Sequence, residues 1–347
     1  MKKIFLGVLA VFLLVVIIYF SMKHVSKRHE YTFYPMGGIP FTIISYDGSS
    51  QGFNDGVLMA KKEEEKLEKI FSIYRDDSEL VLFNKVAAKG VVEVSPDLAD
   101  LFITSKKWNE DTVGAFDVTI TPLTQIWKEA AKKNELPEAA DLAHAMSMVG
   151  SDRLLLIQGR EFKFTKEGMS VDLGAIAKGA IVDKIAELLM AKGMKNGIIN
   201  AGGDGRAFGK RAFTFGIQDP TSPDRDAIIG SIKVKDKSIV TSGDYRRYFE
   251  VDGKRYSHII DPRNGMPADS LISVTVVASN ATDADALATA LSVLGREDGI
   301  KWLKIHPEFS ALMIEKGNDG QLALYASGEL MPILDLKGSW SKYVTEF

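Results

Sequence analysis

Asp283-Ala284-Asp285-Ala286-Leu287-Ala288-Thr289 reads as the start of a helix. Residues four apart share a helix face, so Asp285 and Thr289 would set a carboxylate beside a hydroxyl. That pair suits a hard cation such as Mg²⁺, which takes oxygen donors and leaves its other positions to water or phosphate. Plain capping fits the same residues, with Thr282 as cap and Asp283 and Asp285 at the positive end of the helix dipole. A second group is Ser257-His258-Ile259-Ile260-Asp261-Pro262-Arg263-Asn264-Gly265-Met266-Pro267. A strand would carry His258 to its end, where two prolines and a glycine set a rigid turn. His258 could serve as a general base near neutral pH, with Asp261 orienting it or holding metal. A purely structural strand histidine is the competing explanation.

Three further segments carry weaker signals. In Val171-Asp172-Leu173-Gly174-Ala175-Ile176-Ala177-Lys178-Gly179, two glycines flank a helix start, where free backbone amides can meet an anion. Close helix packing through Gly174 and Gly179 accounts for them equally well. Gly114-Ala115-Phe116-Asp117-Val118-Thr119 and Phe71-Ser72-Ile73-Tyr74-Arg75-Asp76-Asp77-Ser78 supply aromatic rings that could stack on a planar ligand or simply pack in the core. Other motifs fail. The Gly174 segment lacks the Gly-Lys-Ser/Thr ending of a P-loop. Asn200-Ala201-Gly202-Gly203-Asp204-Gly205 has Phe208 where a dinucleotide fingerprint needs glycine.

These groups need strands and helices to position them. Phe41–Tyr46, Gly197–Asn200 and Leu271–Val277 read as strands, and Leu154–Ile157 with Glu161–Thr165 as a hairpin around Gly159. Asp252-Gly253 marks a second hairpin, from Tyr245–Val251 to Lys254–Ile260. Gly56–Phe71, Leu98–Trp108, Ala175–Met190 and Thr282–Leu294 read as helices, residues 128–153 as a surface helix–loop excursion, and 309–335 as a closing strand–turn–strand. Interleaved helices with antiparallel hairpins indicate an α+β body with mixed or antiparallel sheets.

Composition narrows the chemistry. With 43 basic and 46 acidic residues, the net charge of −3 offers no basic excess for a nucleic acid. The absence of cysteine excludes disulfides, thiolate metal sites and a cysteine nucleophile. Lys2 and Lys3 precede an apolar run, Ile4–Phe20, that would span about 26 Å as a helix. The expectation is an uncleaved signal anchor or transmembrane helix over 1–22, a polar tether over 23–34 and a catalytic body over 35–347. A cleaved signal peptide is the alternative. Such an anchor would hold the body at the membrane, outside the cytoplasm.

Taken together, the motifs resemble the ApbE family of FAD:protein FMN transferases. The resemblance runs from about Met36 to Gly295 and follows the family's order: Met36-Gly37, the Tyr74 segment, Gly-x-Phe-Asp, Asp-Leu-Gly-x-Ile-Ala-Lys-Gly, Asn-Ala-Gly-Gly-Asp, Thr241-Ser242-Gly243, His-Ile-Ile-Asp-Pro-Arg-x-Gly and Asp-Ala-Leu-Ala-Thr. Asn264 stands where threonine is common, Ala175 where glycine is common, and Gly38 where threonine often follows. The resemblance implies a single ApbE-like, T-fold-related body. It implies that FAD is the substrate and Mg²⁺ the cofactor, and that FMN is esterified to a threonine or serine of an acceptor protein while AMP leaves. By the same resemblance Asp285, Thr289 and the carbonyl of Ala175 hold the metal, and His258 takes the acceptor's proton. Flavin contacts fall on Met36, Tyr74, Ala115, Phe116, Asp117, Asp172, Lys178 and the backbone near Ile260. The acceptor is expected to carry Asp-Gly-x-Ser/Thr-Gly-Ala-Thr, which this chain echoes only as far as Asp47-Gly48-Ser49-Ser50 before Gln51 breaks it. A Mg²⁺-dependent FAD pyrophosphatase and a non-catalytic flavin-binding protein are the alternatives.

Overall fold

A computed structural model describes residues 28–224, 226–243, 248–317 and 321–347. Its centre is a nine-stranded sheet. In spatial order the strands are His29–Phe33, Phe41–Ser45, Asn196–Ala201, Asp204–Gly209, Ser238–Gly243, Leu271–Ala278, Ser310–Lys316, Leu322–Ala326 and Val344–Glu346. Neighbours are antiparallel throughout, except that Leu322–Ala326 and Val344–Glu346 run parallel. The α+β expectation with mixed sheets holds.

Seven helices are described: α1 Ser50–Phe71, α2 Glu79–Val86, α3 Pro96–Asp111, α4 Thr121–Lys133, α5 Ala139–Met146, α6 Ala177–Ala191 and α7 Ala281–Ile305. Strand alternation decides which covers what. Val240, Val274 and Val276 point into one core with α1, α6 and α7, while Ile239 and Val277 point the other way. There they meet Phe213, Ile229 and Ile232 from a three-stranded sheet of Leu334–Leu336, Ile228–Lys235 and Ala212–Gln218. The central strand Leu271–Ala278 is therefore buried on both faces, which is why it reads as a continuous apolar run. A third apolar cluster, with Leu123, Trp127, Phe249 and Ile260, ties α4 to the hairpin of Tyr248–Val251 and Lys254–Ser257.

Several expectations need correction. Residues 29–33, assigned to a tether, form the edge strand, where aromatic Tyr31 and Phe33 and β-branched Thr32 favour a pleated surface. Helix α1 begins at Ser50, earlier than its charged stretch suggests, because the Ser49 hydroxyl accepts the Gly52 N–H at 3.1 Å. Helix α7 is capped by Asn280 rather than Thr282: its Oδ1 accepts the Asp283 N–H at 2.8 Å. Its first segment stops at Gly295, whose φ of 71° breaks the helix where the expected boundary fell. Leu334–Leu336 leaves the closing hairpin to pair with Ile228–Lys235. Among the described residues no helix is long and apolar enough to cross a membrane. The Ile4–Phe20 segment lies outside the described residues.

Candidate active site

The site grows from the junction of α6 and α7. Gly179, in the first turn of α6, sits against the start of α7: a Cβ there would lie 2.2 Å from the Ala281 carbonyl oxygen. No other residue permits that approach. It lets the Gly179 N–H donate to Asp285 Oδ2 at 3.1 Å. One turn further along α6, Asp183 accepts from the N–H groups of Ala281 and Thr282, both at 2.8 Å, and from the Thr282 hydroxyl at 2.6 Å. A side chain of one helix thus satisfies the orphan amides of the next. The close-packing explanation of Gly179 therefore holds, and its N–H is engaged by the chain's own Asp285 carboxylate.

Asp285 is buried, and its carboxyl is pushed up to about 7, first by desolvation and then by the nearby Asp204 carboxylate. Lys178 pulls in the opposite sense. Lys178 Nζ lies 2.8 Å from Asp204 Oδ2. Thr289 lies one turn beyond Asp285 on α7 and is half-buried, so the predicted carboxylate and hydroxyl do share a face. Ala175 lies in the turn that leads into α6, half-buried. Among the described residues no three His, Asp or Glu side chains converge as a cage for metal. One carboxylate, one hydroxyl and one carbonyl fit a cation that completes its shell with phosphate oxygens and water. The excess of buried carboxylate over ammonium at this corner favours a cation.

The His258 loop touches α7 further along, near the Gly295 break. His258 follows the strand Lys254–Ser257 and is half-buried. The loop is braced from within. Asp261 accepts from the Arg263 backbone and Nε through Oδ1, and from Arg263 Nη2 through Oδ2, all at 2.8–2.9 Å. The Trp127 indole donates to the Gly265 carbonyl at 2.9 Å. Gly265, with φ of 74°, makes the turn, and Ile260 pairs with Pro267 across it. Arg263 Nη2 also reaches the Val293 carbonyl at 3.5 Å. Val293 is one turn beyond Thr289 and two turns beyond Asp285, so this contact fixes the loop to the end of the first segment of α7.

The remaining expected contacts divide by exposure. Ala115 and Phe116 are buried, and Phe116 packs in the helix-side core. Asp117 Oδ1 accepts the Thr119 N–H at 2.8 Å and its hydroxyl at 2.6 Å, while Oδ2 accepts from Ser151 N at 2.9 Å and Asn109 Nδ2 at 3.2 Å. Burial pushes this carboxyl up against the pull of those bonds. Asp172 lies in the turn that precedes α6: its N–H donates to the Val118 carbonyl and its Oδ1 accepts the Gly174 N–H, each at 2.8 Å. Tyr74 is 82% exposed, which separates it from Phe116 as a surface ring. Met36 sits in the turn between the first two strands with φ of 48°. Ile260 is buried. A cavity of about 280 Å³ on the sheet's other face brings Asn200, Gly203 and Thr241 together, joining two motifs that are far apart in the chain.

Sequence reasoning missed Asp183 and passed over Asp204 as the end of a glycine-rich motif. The signal for Asp183 was available: it is a lone acid in the otherwise apolar stretch Ala180-Ile181-Val182-Asp183.

The pattern of the ApbE family matches residues 38–313. The chain belongs to the ApbE family. An FAD:protein FMN transferase of Klebsiella pneumoniae is 34% identical over 256 residues, 73% of this chain and 80% of that protein. One from Vibrio cholerae is 35% identical over 293 residues, 82% and 86% of the two chains. The solved flavin transferase ApbE from Vibrio cholerae superposes with a TM-score of 0.75 at 29% identity, covering 88% of this chain and all of that one (100%). An ApbE protein from Thermotoga maritima gives 0.78 at 29% identity, covering 88% and 99%. The expectation of an enzyme, and of an ApbE-like body, stands for this ApbE-family chain.

Proposed function

We propose that this protein moves FMN from FAD to a serine or threonine hydroxyl of an acceptor protein, forming a phosphoester and releasing AMP. The convergence of Asp285, Lys178 and Asp204 at the α6–α7 junction carries this reading, together with the names of the relatives. The acceptor hydroxyl attacks the FMN phosphorus, and His258 takes its proton. The bond from that phosphorus to the bridging oxygen breaks, and AMP leaves with the oxygen. Asp285, Thr289 and the Ala175 carbonyl would hold Mg²⁺, which when bound offsets charge on the pyrophosphate oxygens. Lys178 adds a fixed positive charge at the same corner.

Flavin recognition is assigned to Met36, Tyr74, Ala115, Phe116, Asp117, Asp172 and the backbone near Ile260. Since both Asp117 oxygens already accept internal donors, that residue acts by shaping its loop. The acceptor would present the Asp-Gly-x-Ser/Thr-Gly-Ala-Thr sequence. The Ile4–Phe20 run would hold the protein at a membrane with its body outside the cytoplasm.

Incubating the protein with FAD, Mg²⁺ and a peptide of that sequence should add the mass of FMN to the peptide. Asp285→Ala should abolish this transfer with the fold retained. His258→Ala should abolish transfer while still binding FAD, read by flavin fluorescence. Rapid AMP release with no labelled peptide would instead indicate an FAD pyrophosphatase.

A further inference from the structure

Asp204 opens the strand Asp204–Gly209 and shares a strand face with Phe208, which packs in the helix-side core. It is 0% exposed. Apart from the ion pair with Lys178, neither of its oxygens accepts a hydrogen bond from the described residues. A dry carboxylate with a single partner does little for folding, because desolvation of each ion costs several kcal/mol and an apolar pair of similar shape is commonly as stable. Stability alone therefore leaves this pair unexplained.

Its geometry suggests another use. Lys178 is held at both ends. Its backbone is locked beside Gly179, which is wedged against Ala281 and bonded to Asp285. Its ammonium is held by Asp204 at 2.8 Å. Of the two partners only the lysine reaches solvent, with 30% of its side chain exposed against none of the aspartate's. The lysine can therefore meet a ligand directly, whereas the aspartate reaches one through Lys178, its other influence being the field it exerts on Asp285, which bound Mg²⁺ offsets. Holding a charge in place before the reaction removes a reorganisation that would otherwise accompany it.

We propose that Asp204 is a positioning residue that fixes the Lys178 ammonium at the phosphate-binding corner, and that its effect on transfer runs through that lysine. This rests on the transferase reading for its kinetic consequence, whereas the anchoring of Lys178 is independent of it. The test is a double-mutant cycle of Asp204→Asn and Lys178→Met, with transfer to the acceptor peptide at saturating Mg²⁺. Each single change should lower kcat by roughly 10- to 100-fold, on the scale of a lost preorganised donor, with the KM for FAD within about threefold. The double variant should be no slower than Lys178→Met, since the aspartate then has nothing to hold. Asp204→Glu keeps the charge and should recover part of the kcat lost in Asp204→Asn.

A second readout needs no turnover. Acetylation of Lys178, followed by peptide mass spectrometry, should run several-fold faster in Asp204→Asn than in the parent. Losses that multiply in the double variant, a parental kcat in Asp204→Asn, or unchanged Lys178 labelling would each overturn the proposal. If Asp204→Asn does not fold, the cycle and the labelling run with Asp204→Glu, and the same non-additivity and faster labelling are required. A parent that labels no peptide refutes the transferase reading, and Lys178 acetylation still decides the anchoring.

Discussion

Asp285→Asn should make the metal-free protein more resistant to heat at alkaline pH than at acid pH, relative to the parent. The Asp285 carboxyl titrates at about 7 in the folded protein against an ordinary value of 3.8. Between those two values the native state keeps a proton that the unfolded chain has released, so stability falls as pH rises across the window and levels off above it. The whole gap of roughly three pH units, at 1.36 kcal/mol each, amounts to about 4 kcal/mol. From about pH 5.5 to pH 8 the remaining half of the window contributes about 2 kcal/mol, an upper bound if water enters the opened site. Asparagine keeps an oxygen for the Gly179 N–H and removes the ionisation. Its advantage over the parent should therefore grow by about 2 kcal/mol between those pH values, or roughly 3 °C in melting temperature for a body of this size. Thermal melts in EDTA measure it, and the titration of groups remote from Asp285 cancels in the comparison. With Mg²⁺ added at the higher pH, the parent should gain stability and the variant should not. An advantage that is identical at both pH values would show that Asp285 is not a desolvated carboxyl beside a second acid.

Gly179→Ala should destabilise the protein by at least about 1–3 kcal/mol, because its methyl group would meet the Ala281 carbonyl at 2.2 Å, and transfer should fall with it. A melt unchanged from the parent would refute the close packing of α6 on α7. Glu64 is buried on the inner face of α1, and burial, reinforced by Glu68 and Glu65, pushes it up to about 7. Glu64→Gln should raise the melting temperature above neutral pH and have little effect near pH 4, by about 1 kcal/mol after screening. Trp127→Phe leaves the Gly265 carbonyl without its indole donor. That should cost about 1–3 kcal/mol in denaturant melts and slow transfer through the loosened His258 loop.

Local patterns carried much of the fold. The hairpin at Asp252-Gly253 and the helix beginning near Asp285 are written in turn chemistry and spacing, and both occur. The edge strand His29–Phe33 was passed over: Tyr31, Thr32 and Phe33 favour a strand, but the run is only five residues long and its order comes from pairing with Phe41–Ser45. The cap of α7 was misassigned for a similar reason. Thr282 is a good capping residue, but Asp183, about a hundred positions earlier, takes its amide and hydroxyl and leaves the capping position to Asn280. In the site, the i,i+4 relation of Asp285 and Thr289 could be read from spacing alone. The pairing of Lys178 with Asp204 could not, since it joins a helix start to a strand start across the core.

The grip of Asp183 on the first turn of α7 makes two helices into a single mechanical part. Neither can tilt without exposing the other's unpaired amides, so the corner between them has no low-energy way to open by itself. Warming should then leave this corner in shape until the whole body gives way, and loss of turnover should coincide with global melting rather than precede it.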